Sequence, residues 1–339
     1  MNGAGRKLAK AIGSAWGQRA SVLLVIVVIM AIVQPRFFTA GNMLSILLAI
    51  AFYGVIASGM LFVVLIGGID LAVGSEAALG GTIFTFYVLA HDMSAGSFFI
   101  AFLLALLVAV GVGLLHGFFD AYLRMPSFVV TLATQYFLYG LIQQITHLNY
   151  LTPIRPTGLF YLLGNGKLLG VPSPVVWFIA IAVIAASILS KTPFGRRVYA
   201  VGGNPLAAEL VGVSVKFHKM CAYVICSMTA SVAGMLLVSM NMVSSYKTAA
   251  GYEGPVMMAI VIGAVNLMGG EGKMGGVFFG ALLVGIINNV LILVGIDTDY
   301  KNLVQGLIII FAVSMNVYAG RRSQGIVDQR RRRVLFRRQ

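Results

Sequence analysis

The chain has 339 residues, of which 59% are hydrophobic and only 10% are charged. Soluble domains carry about 25% charged residues, so this composition excludes a soluble globular fold and predicts an all-α integral membrane protein. The formal net charge of +14 would suggest a nucleic-acid partner in a soluble protein. Here the lysines and arginines lie between and beyond the apolar segments, so the charge indicates membrane topology and no nucleic-acid binding.

Ten apolar segments approach the roughly 20 residues that a helix needs to cross a bilayer. They lie at about 20–35, 43–66, 76–91, 97–122, 127–146, 174–190, 219–240, 254–268, 275–295 and 302–319. Residues 1–19 form a basic segment without a signal-peptide cleavage site, so we expect the first helix to be retained. One transmembrane domain is therefore predicted over 20–319, followed by a basic tail at 320–339.

The distribution of basic residues predicts that both termini are cytoplasmic. With the amino terminus inside, 19 of the 24 lysines and arginines fall in cytoplasmic segments, where these residues accumulate in membrane proteins. The number of helices must then be even, because one helix more or fewer would place either the basic group at 191–219 or the tail outside. The tail could also bind anionic lipid head groups, although a topology anchor is the simpler interpretation.

The first motif along the chain is Gly67-Gly-Ile-Asp-Leu-Ala-Val-Gly-Ser75, which interrupts an apolar run with three glycines and a carboxylate. Non-helical backbone in a membrane protein is tolerated only where protein or a water-filled cavity satisfies it. We therefore predict a helix break, in which Asp70 or Ser75 caps the next helix. The candidate gating residues are Gly67, Gly68, Asp70, Gly74 and Ser75. The alternative, favoured for Asp70, is a structural turn without substrate contact.

Polar side chains within the apolar segments are candidates for a substrate pathway. The four selected are Thr131, Gln135, Asn241 and Asn288. Uncharged amides and hydroxyls suit a sugar, because they exchange hydrogen bonds with hydroxyl groups without holding an ion. The alternative is hydrogen bonding between packed helices, which is common in membrane bundles.

The most polar connection between helices lies at about 191–218. Gly202-Gly203-Asn204 can supply a turn and a helix N-cap, Pro205 suits the first helical position, and Leu206 to Val211 can form a short helix with Glu209 exposed. Such a helix could transmit motion from a cytoplasmic partner, or it could be an ordinary connection. The residues alone leave both interpretations open.

A short internal repeat indicates two related halves of the chain. Ile66-Gly-Gly-Ile-Asp-Leu71 resembles Ile262-Gly-Ala-Val-Asn-Leu267, and a Gly-Gly pair follows each copy. Corresponding breaks in two halves of a transporter would have this pattern, although short repeats in a glycine-rich chain also arise by chance. The second break adds Gly269 and Gly270 to the candidate gating residues.

The sequence lacks the groups that enzymes and ion-driven carriers use. The ten acidic residues fall at helix ends or in loops, and no phosphate-binding Gly-x-x-x-x-Gly-Lys-Ser/Thr sequence occurs. The histidines, His91, His116, His147 and His218, are scattered, and Cys221 and Cys226 are interpreted as buried small residues. We predict no metal site, no bound cofactor and no catalytic residues, with an energy source outside this chain.

At this point a family resemblance can be stated. The 67–75 segment, apart from Ala72, resembles the signature of permease subunits of ribose-type ATP-binding cassette (ABC) importers. The segment 194–213 and the glycine-rich run 269–280 are similar to two further family motifs, although the third match is looser. The resemblance covers about 35–316, and it implies a multi-pass protein of the bacterial inner membrane.

The resemblance also implies partners. They are a cytoplasmic ABC ATPase that uses ATP, a periplasmic solute-binding protein, and a second permease subunit. The family's ATPase-coupling loop maps here to Arg196, Tyr199, Gly202, Gly203, Asn204, Ala207, Ala208, Glu209 and Gly212. Import of a sugar or sugar-like solute is the expected function. The rivals are an ion-coupled sugar carrier, opposed by the sparse acids, and a membrane enzyme acting on lipid-linked sugars.

Overall fold

The computed structural model describes residues 27–30, 32–91, 94–152 and 158–295, together with 300, 303–308, 310 and 314. After a 3-10 turn at Pro35–Phe38, the helices are α1 Ala40–Leu65, α2 Val73–Ala90, α3 Ala95–Ala121, α4 Ser127–Thr146, α5 Gly158–Asn165, α6 Ser173–Lys191, α7 Pro193–Gly203, α8 Pro205–Leu210, α9 Val215–Asn241, α10 Glu253–Ile262 and α11 Met274–Leu293. Strands β1 Lys167–Leu168 and β2 Val171–Pro172 form an antiparallel hairpin between α5 and α6.

Within the described part of the chain, six helices are long and apolar enough to cross a membrane: α1, α2, α3, α6, α9 and α11. Eight of the ten predicted segments are helices, and the first and last lie largely outside the described residues. The segment 127–146 is a helix of the predicted length, α4. Its threonines and glutamines lower its hydropathy, so it is not among the six helices that are apolar enough to cross a membrane. The prediction of a membrane-spanning helix over 254–268 is wrong, because α10 ends at Ile262 and irregular backbone follows.

The centre of the bundle is α1 and α9. From Ala51 to Leu65 every residue of α1 is buried, so an all-round apolar sequence corresponds to a helix surrounded by protein. Helix α9 packs on α1, α2 and α3, and small residues allow the close approach. A Cβ at Gly113 of α3 would lie 2.5 Å from the backbone of Val224 in α9. Helices α3 and α6 expose most of their surface and form the outer layer.

Two irregular segments break the bundle, at 66–72 between α1 and α2 and at 263–273 between α10 and α11. These two segments contain the two copies of the internal repeat. Gly67, Gly269 and Gly270 have positive φ values of 82°, 90° and 77°, which L side chains adopt only with strain. The glycines therefore allow both helices to stop abruptly inside the protein.

One end of the bundle, here called the basic end, collects four connections: 66–72, 122–126, 192–214 and 263–273. Hydrogen bonds join them, including Ile69 N to Ser127 Oγ at 3.0 Å and Tyr199 Oη to the Gly272 carbonyl at 2.7 Å. The basic residues at this end are Arg124, Lys191, Arg196, Arg197, Lys216, Lys219 and Lys273. The opposite end carries the β hairpin and a bridge between Leu151 and Ser244. The loops thus group as the charge distribution predicts.

Candidate functional site

The connection at 192–214 is built as two capped short helices. Thr192 Oγ1 accepts a hydrogen bond from Gly195 N at 3.1 Å and begins α7. Asn204 Oδ1 accepts from Ala207 N at 3.0 Å and begins α8, with Pro205 in the first turn. These caps satisfy backbone donors that a helix start leaves free. The predicted N-cap at Asn204 and the first-turn proline at 205 are confirmed.

One local prediction in this connection is wrong. Gly202 and Gly203 do not form a turn, because they are the last two residues of α7 and the chain changes direction only at Asn204. The helix that follows ends at Leu210, and Gly212 has a φ of 81°. The short helix therefore begins and ends close to the predicted positions, but Gly202 and Gly203 belong to the preceding helix α7.

Helix α8 is anchored by one residue and exposes the others. Ala208 is buried, whereas Leu206, Leu210 and Val211 are 75%, 88% and 78% exposed. Ala207, Glu209 and Gly212 are exposed too, and so is Arg196 on α7. Large apolar side chains that are exposed at a polar, basic end of a protein are characteristic of a surface that binds another protein.

Beneath α7, the glycines of three segments meet, and we call Gly67, Gly202, Gly269 and Gly270 the glycine junction. Gly270 N donates a hydrogen bond of 2.9 Å to the Leu65 carbonyl, which joins the second break to the end of α1. A Cβ at Gly202 would overlap that same carbonyl oxygen and lie 2.6 Å from Gly270 N. The end of α7 is therefore in backbone contact with both breaks.

A tyrosine adds a second link between α7 and the later break. Tyr199 Oη donates to the Gly272 carbonyl at 2.7 Å, and Gly272 lies two residues beyond the junction. Burial raises the pKa of the Tyr199 phenol, so the hydroxyl stays protonated and remains a donor at neutral pH. Any displacement of α7 must therefore move the 263–273 segment or break these contacts.

The first break is held by polar side chains, although not as predicted. Asp70 Oδ1 accepts from Ala72 N at 2.9 Å, and Ser75 Oγ donates to the Ala72 carbonyl at 2.8 Å. The residue at the N-cap of α2 is Ala72, and no side chain caps this helix. Asp70 cannot act as the cap because it lies two residues before that position. The prediction that Asp70 or Ser75 caps α2 is therefore wrong.

The four residues selected for a pathway do not form one group. Thr131 is buried, and its Oγ1 accepts from Leu71 N at 3.0 Å, so it supports the first break. Gln135 Nε2 lies 3.4 Å from Glu253 Oε1, and Asn288 Oδ1 accepts from Gln305 Nε2 at 2.5 Å. Asn241 is exposed at the end of α9. Of the four, Gln135 and Asn288 form hydrogen bonds with side chains of other segments.

A further group of polar residues has no signal in the sequence spacing. Asp70, Glu76 and His116 come from the first break, α2 and α3, and their potential ligand atoms all lie within 4.8 Å of one another. The histidines are scattered along the sequence, and their spacing did not predict that His116 lies beside Asp70 and Glu76. Only the rarity of charged residues inside apolar segments could have drawn attention to this group.

The described residues form a helical bundle with six helices long and apolar enough to cross a membrane. Its two glycine breaks contact an exposed helix pair. This is the arrangement expected of a membrane transport subunit. Residues 42–313 match the family described as "Branched-chain amino acid transport system / permease component". The chain belongs to this permease family. It is an inner-membrane transporter subunit and not an enzyme, and a permease of this kind implies an ATPase and a binding protein as partners.

Named relatives agree over most of the chain. The chain is 35% identical to the ribose import permease protein RbsC of Bacillus subtilis over 295 residues, which cover 87% of this chain and 90% of the relative. It is 34% identical to RbsC of Escherichia coli K12, over 86% of this chain and 90% of the relative. The L-arabinose ABC transporter permease protein AraH of Azospirillum brasilense is 34% identical, over 93% and 92%.

Proposed function

We propose that the chain carries a sugar or sugar-like solute from the periplasm to the cytoplasm. The relatives are named for ribose and L-arabinose, two pentoses, and they align with nearly the whole chain. The polar side chains available inside the bundle are mainly hydroxyls and amides, which exchange hydrogen bonds with sugar hydroxyls. A pentose or a close analogue is therefore the first solute class to test.

The observation that carries the coupling part of the proposal is the exposure of Leu206 and Leu210 on α8 and of Val211 at its end, shortly after Gly202 of the glycine junction. The partner ATPase would cover these side chains at the cytoplasmic face. Acidic and basic side chains both line a groove beside α8, and they include Asp120, Arg124 and Glu209. These charges would orient the partner electrostatically. The basic residues at this end support a cytoplasmic position under the positive-inside rule.

Transmission would then run through the backbone. Closure of the ATPase pushes on α8 and α7, Gly202 presses on the Leu65 carbonyl, and the segments 66–72 and 263–273 move together. Rigid-body displacement of packed helices about glycine hinges is an established way to switch between two states. The two breaks would act as the hinges of the outward-open and inward-open forms, each in one half of the chain.

The remaining parts of the assembly follow from the same proposal. This chain binds no nucleotide itself, consistent with the absence of a phosphate-binding loop from its sequence, and ATP is hydrolysed by the partner. Two permease subunits, identical or related, enclose the pathway between them. A periplasmic binding protein delivers the solute at the end that carries the β hairpin, and the exposed faces of α3 and α6 contact lipid.

Leu210→Asp tests the docking surface. We expect the charged side chain to reduce co-purification of the ATPase subunit at least about 30-fold, the effect of losing an apolar contact worth about 2 kcal/mol at the centre of an interface. Leu169→Asp is the matched control, since Leu169 is 98% exposed on the hairpin at the opposite end. Normal co-purification of Leu210→Asp, or equal losses in both variants, would remove the docking assignment.

The solute class is tested separately, with radiolabelled ribose and L-arabinose in proteoliposomes that contain the permease, the ATPase and the binding protein. Uptake of either pentose that requires both ATP and the binding protein supports the proposal. Uptake that continues without ATP but follows an ion gradient would instead support an ion-coupled carrier.

A further inference from the structure

Three buried side chains, Asp70, Glu76 and His116, form a group that the transport proposal does not use. Their exposed fractions are 0%, 3% and 1%. His116 Nδ1 lies 3.4 Å from Asp70 Oδ2 and 3.4 Å from Glu76 Oε1. The residues come from the first break, the first turn of α2 and the second half of α3, so the fold brings together three separate elements at this point.

Four buried polar atoms of this group lack a hydrogen-bond partner among the described residues. Asp70 Oδ2, Glu76 Oε2 and both ring nitrogens of His116 are buried and unpaired among the described residues. More than about nine in ten buried polar groups in proteins are satisfied, and a cluster of exceptions calls for a water, an ion or a ligand. The imidazole in particular is aimed at two carboxylates without a good hydrogen bond to either.

Two ionised carboxylates and one imidazole would not balance in charge. Among the described residues, His116 is the sole cationic group that pairs with Asp70 or Glu76, because Lys219 is engaged with Asp120 at 2.8 Å. Two carboxylates with a protonated imidazole still leave one negative charge away from water, which is costly. A proton on one carboxyl beside the imidazolium, or a divalent cation beside the neutral imidazole, would each make the group neutral.

The separation between the imidazole nitrogen and each carboxylate fits two ligands of one metal ion better than a hydrogen bond. Nitrogen and carboxylate oxygen bind zinc at about 2.0–2.2 Å, so two ligand atoms of a tetrahedral site lie about 3.3–3.6 Å apart. Both measured distances from His116 Nδ1 are 3.4 Å. A hydrogen bond from an imidazole would be shorter, at about 2.9–3.0 Å.

Neighbouring groups already fix the orientation of both carboxylates. Ala72 N donates to Asp70 Oδ1 at 2.9 Å, and Ser227 Oγ donates to Glu76 Oε1 at 2.5 Å. The His116 ring packs edge-to-face on Tyr223, with centroids 6.0 Å apart. Outer contacts of this kind orient the ligands of metal sites.

We propose that Asp70, Glu76 and His116 bind a divalent transition-metal ion that ties the first break to α2 and α3. The imidazole favours zinc, iron, cobalt or nickel, and the two carboxylates extend the range to manganese. The ion would hold 66–72 against α3 while the glycine junction moves at the other end of the same segment. This site does not depend on which solute the permease carries.

The test uses the full chain purified in detergent without a polyhistidine tag. Metal analysis should find about one transition-metal ion per chain, removable by a chelator, and zinc added back should raise the melting temperature of the stripped protein. His116→Asn should lose the ion and the response to zinc. His218→Asn is the matched control, because His218 is also buried and its Nδ1 bonds the Ser214 carbonyl.

A second measurement needs no variant and so remains valid if His116→Asn fails to fold. Stripped wild-type protein titrated with Co²⁺ should develop visible absorption bands of a cobalt ion bound by nitrogen and oxygen, and Zn²⁺ should abolish them. Protein that contains no metal, gains no bands and does not respond to zinc would overturn the proposal. Equal metal binding by His116→Asn and the wild type would overturn it as well.

Discussion

Replacement of Gly202 by alanine isolates the mechanical contact between α7 and the broken helices. The new Cβ would overlap the Leu65 carbonyl oxygen and lie 2.6 Å from Gly270 N, whereas ordinary contact begins at 3.4 Å. Both neighbours are backbone atoms, so no side chain can rotate away. The end of α7 must move outward from α1, or the second break must be displaced.

The size of the effect follows from two contributions. Overpacking of a tight contact costs about 1–3 kcal/mol. Loss of the 2.9 Å hydrogen bond from Gly270 N to the Leu65 carbonyl adds about 0.5–1.5 kcal/mol. If only about 1.4 kcal/mol of this total changes the balance between the two transport states, the coupling equilibrium shifts tenfold.

The matched control is Gly203→Ala, because Gly203 is the adjacent residue of the same helix and a Cβ there meets nothing within 4 Å. We expect Gly203→Ala to retain normal coupling and to gain up to about 1 kcal/mol of stability from the stiffer backbone. The assay is ATP hydrolysis stimulated by the loaded binding protein in nanodiscs, with basal hydrolysis and melting temperature measured alongside.

Gly202→Ala should lose at least about tenfold of this stimulation while the ATPase still co-purifies, since α8 and its exposed surface are unchanged. Stimulation and melting temperature equal to those of Gly203→Ala would show that α7 and the breaks do not press on each other. Loss of ATPase binding together with stimulation would instead indicate a docking defect.

Three further substitutions test local contacts. Tyr199→Phe should lower the free energy of unfolding by about 0.5–1.5 kcal/mol and weaken ATPase stimulation, because the hydrogen bond to the second break is lost; Tyr150→Phe, at an exposed site, should change neither. Asn204→Ala should remove the N-cap of α8 and cost about 1 kcal/mol, with Asn204→Asp retaining wild-type melting. Thr131→Val should cost about 1–3 kcal/mol by leaving Leu71 N unpaired, and Thr131→Ser should restore stability; normal melting of Thr131→Val with impaired uptake would favour a pathway role instead.

Composition and apolar length were sufficient for the helical bundle but not for the length of every helix. Hydropathy extended α10 to about residue 268, because Ala264, Val265 and Leu267 are apolar. Those residues lie in irregular backbone that returns to the end of α1 through Gly270. Such backbone is stable because other parts of the protein satisfy its polar groups, which a hydropathy window cannot detect.

The candidate site was predictable where the chemistry is local and not where it depends on packing. The cap at Asn204 and the proline after it follow from neighbouring residues, and both are confirmed. Contact between Gly202 and the Leu65 carbonyl joins positions 137 residues apart, and a glycine at the end of a helix looks the same in sequence as a glycine in a turn. His116 approached Asp70 only through the packing of α3 on the first break.

The first break is attached at its two ends to different partners, and this decides how it can move. At the start, Gly67 lies in the glycine junction beside Gly269, where α7 makes backbone contact. At the end, Leu71 N is bonded to Thr131 of α4 and Asp70 faces His116 of α3. Under the proposed coupling, a push from α7 would act on a segment whose far end is held by these contacts, and it would rotate the segment about the 70–72 region. Helix α2 begins at Val73, directly after this region, so we expect its tilt to change most when α7 is displaced.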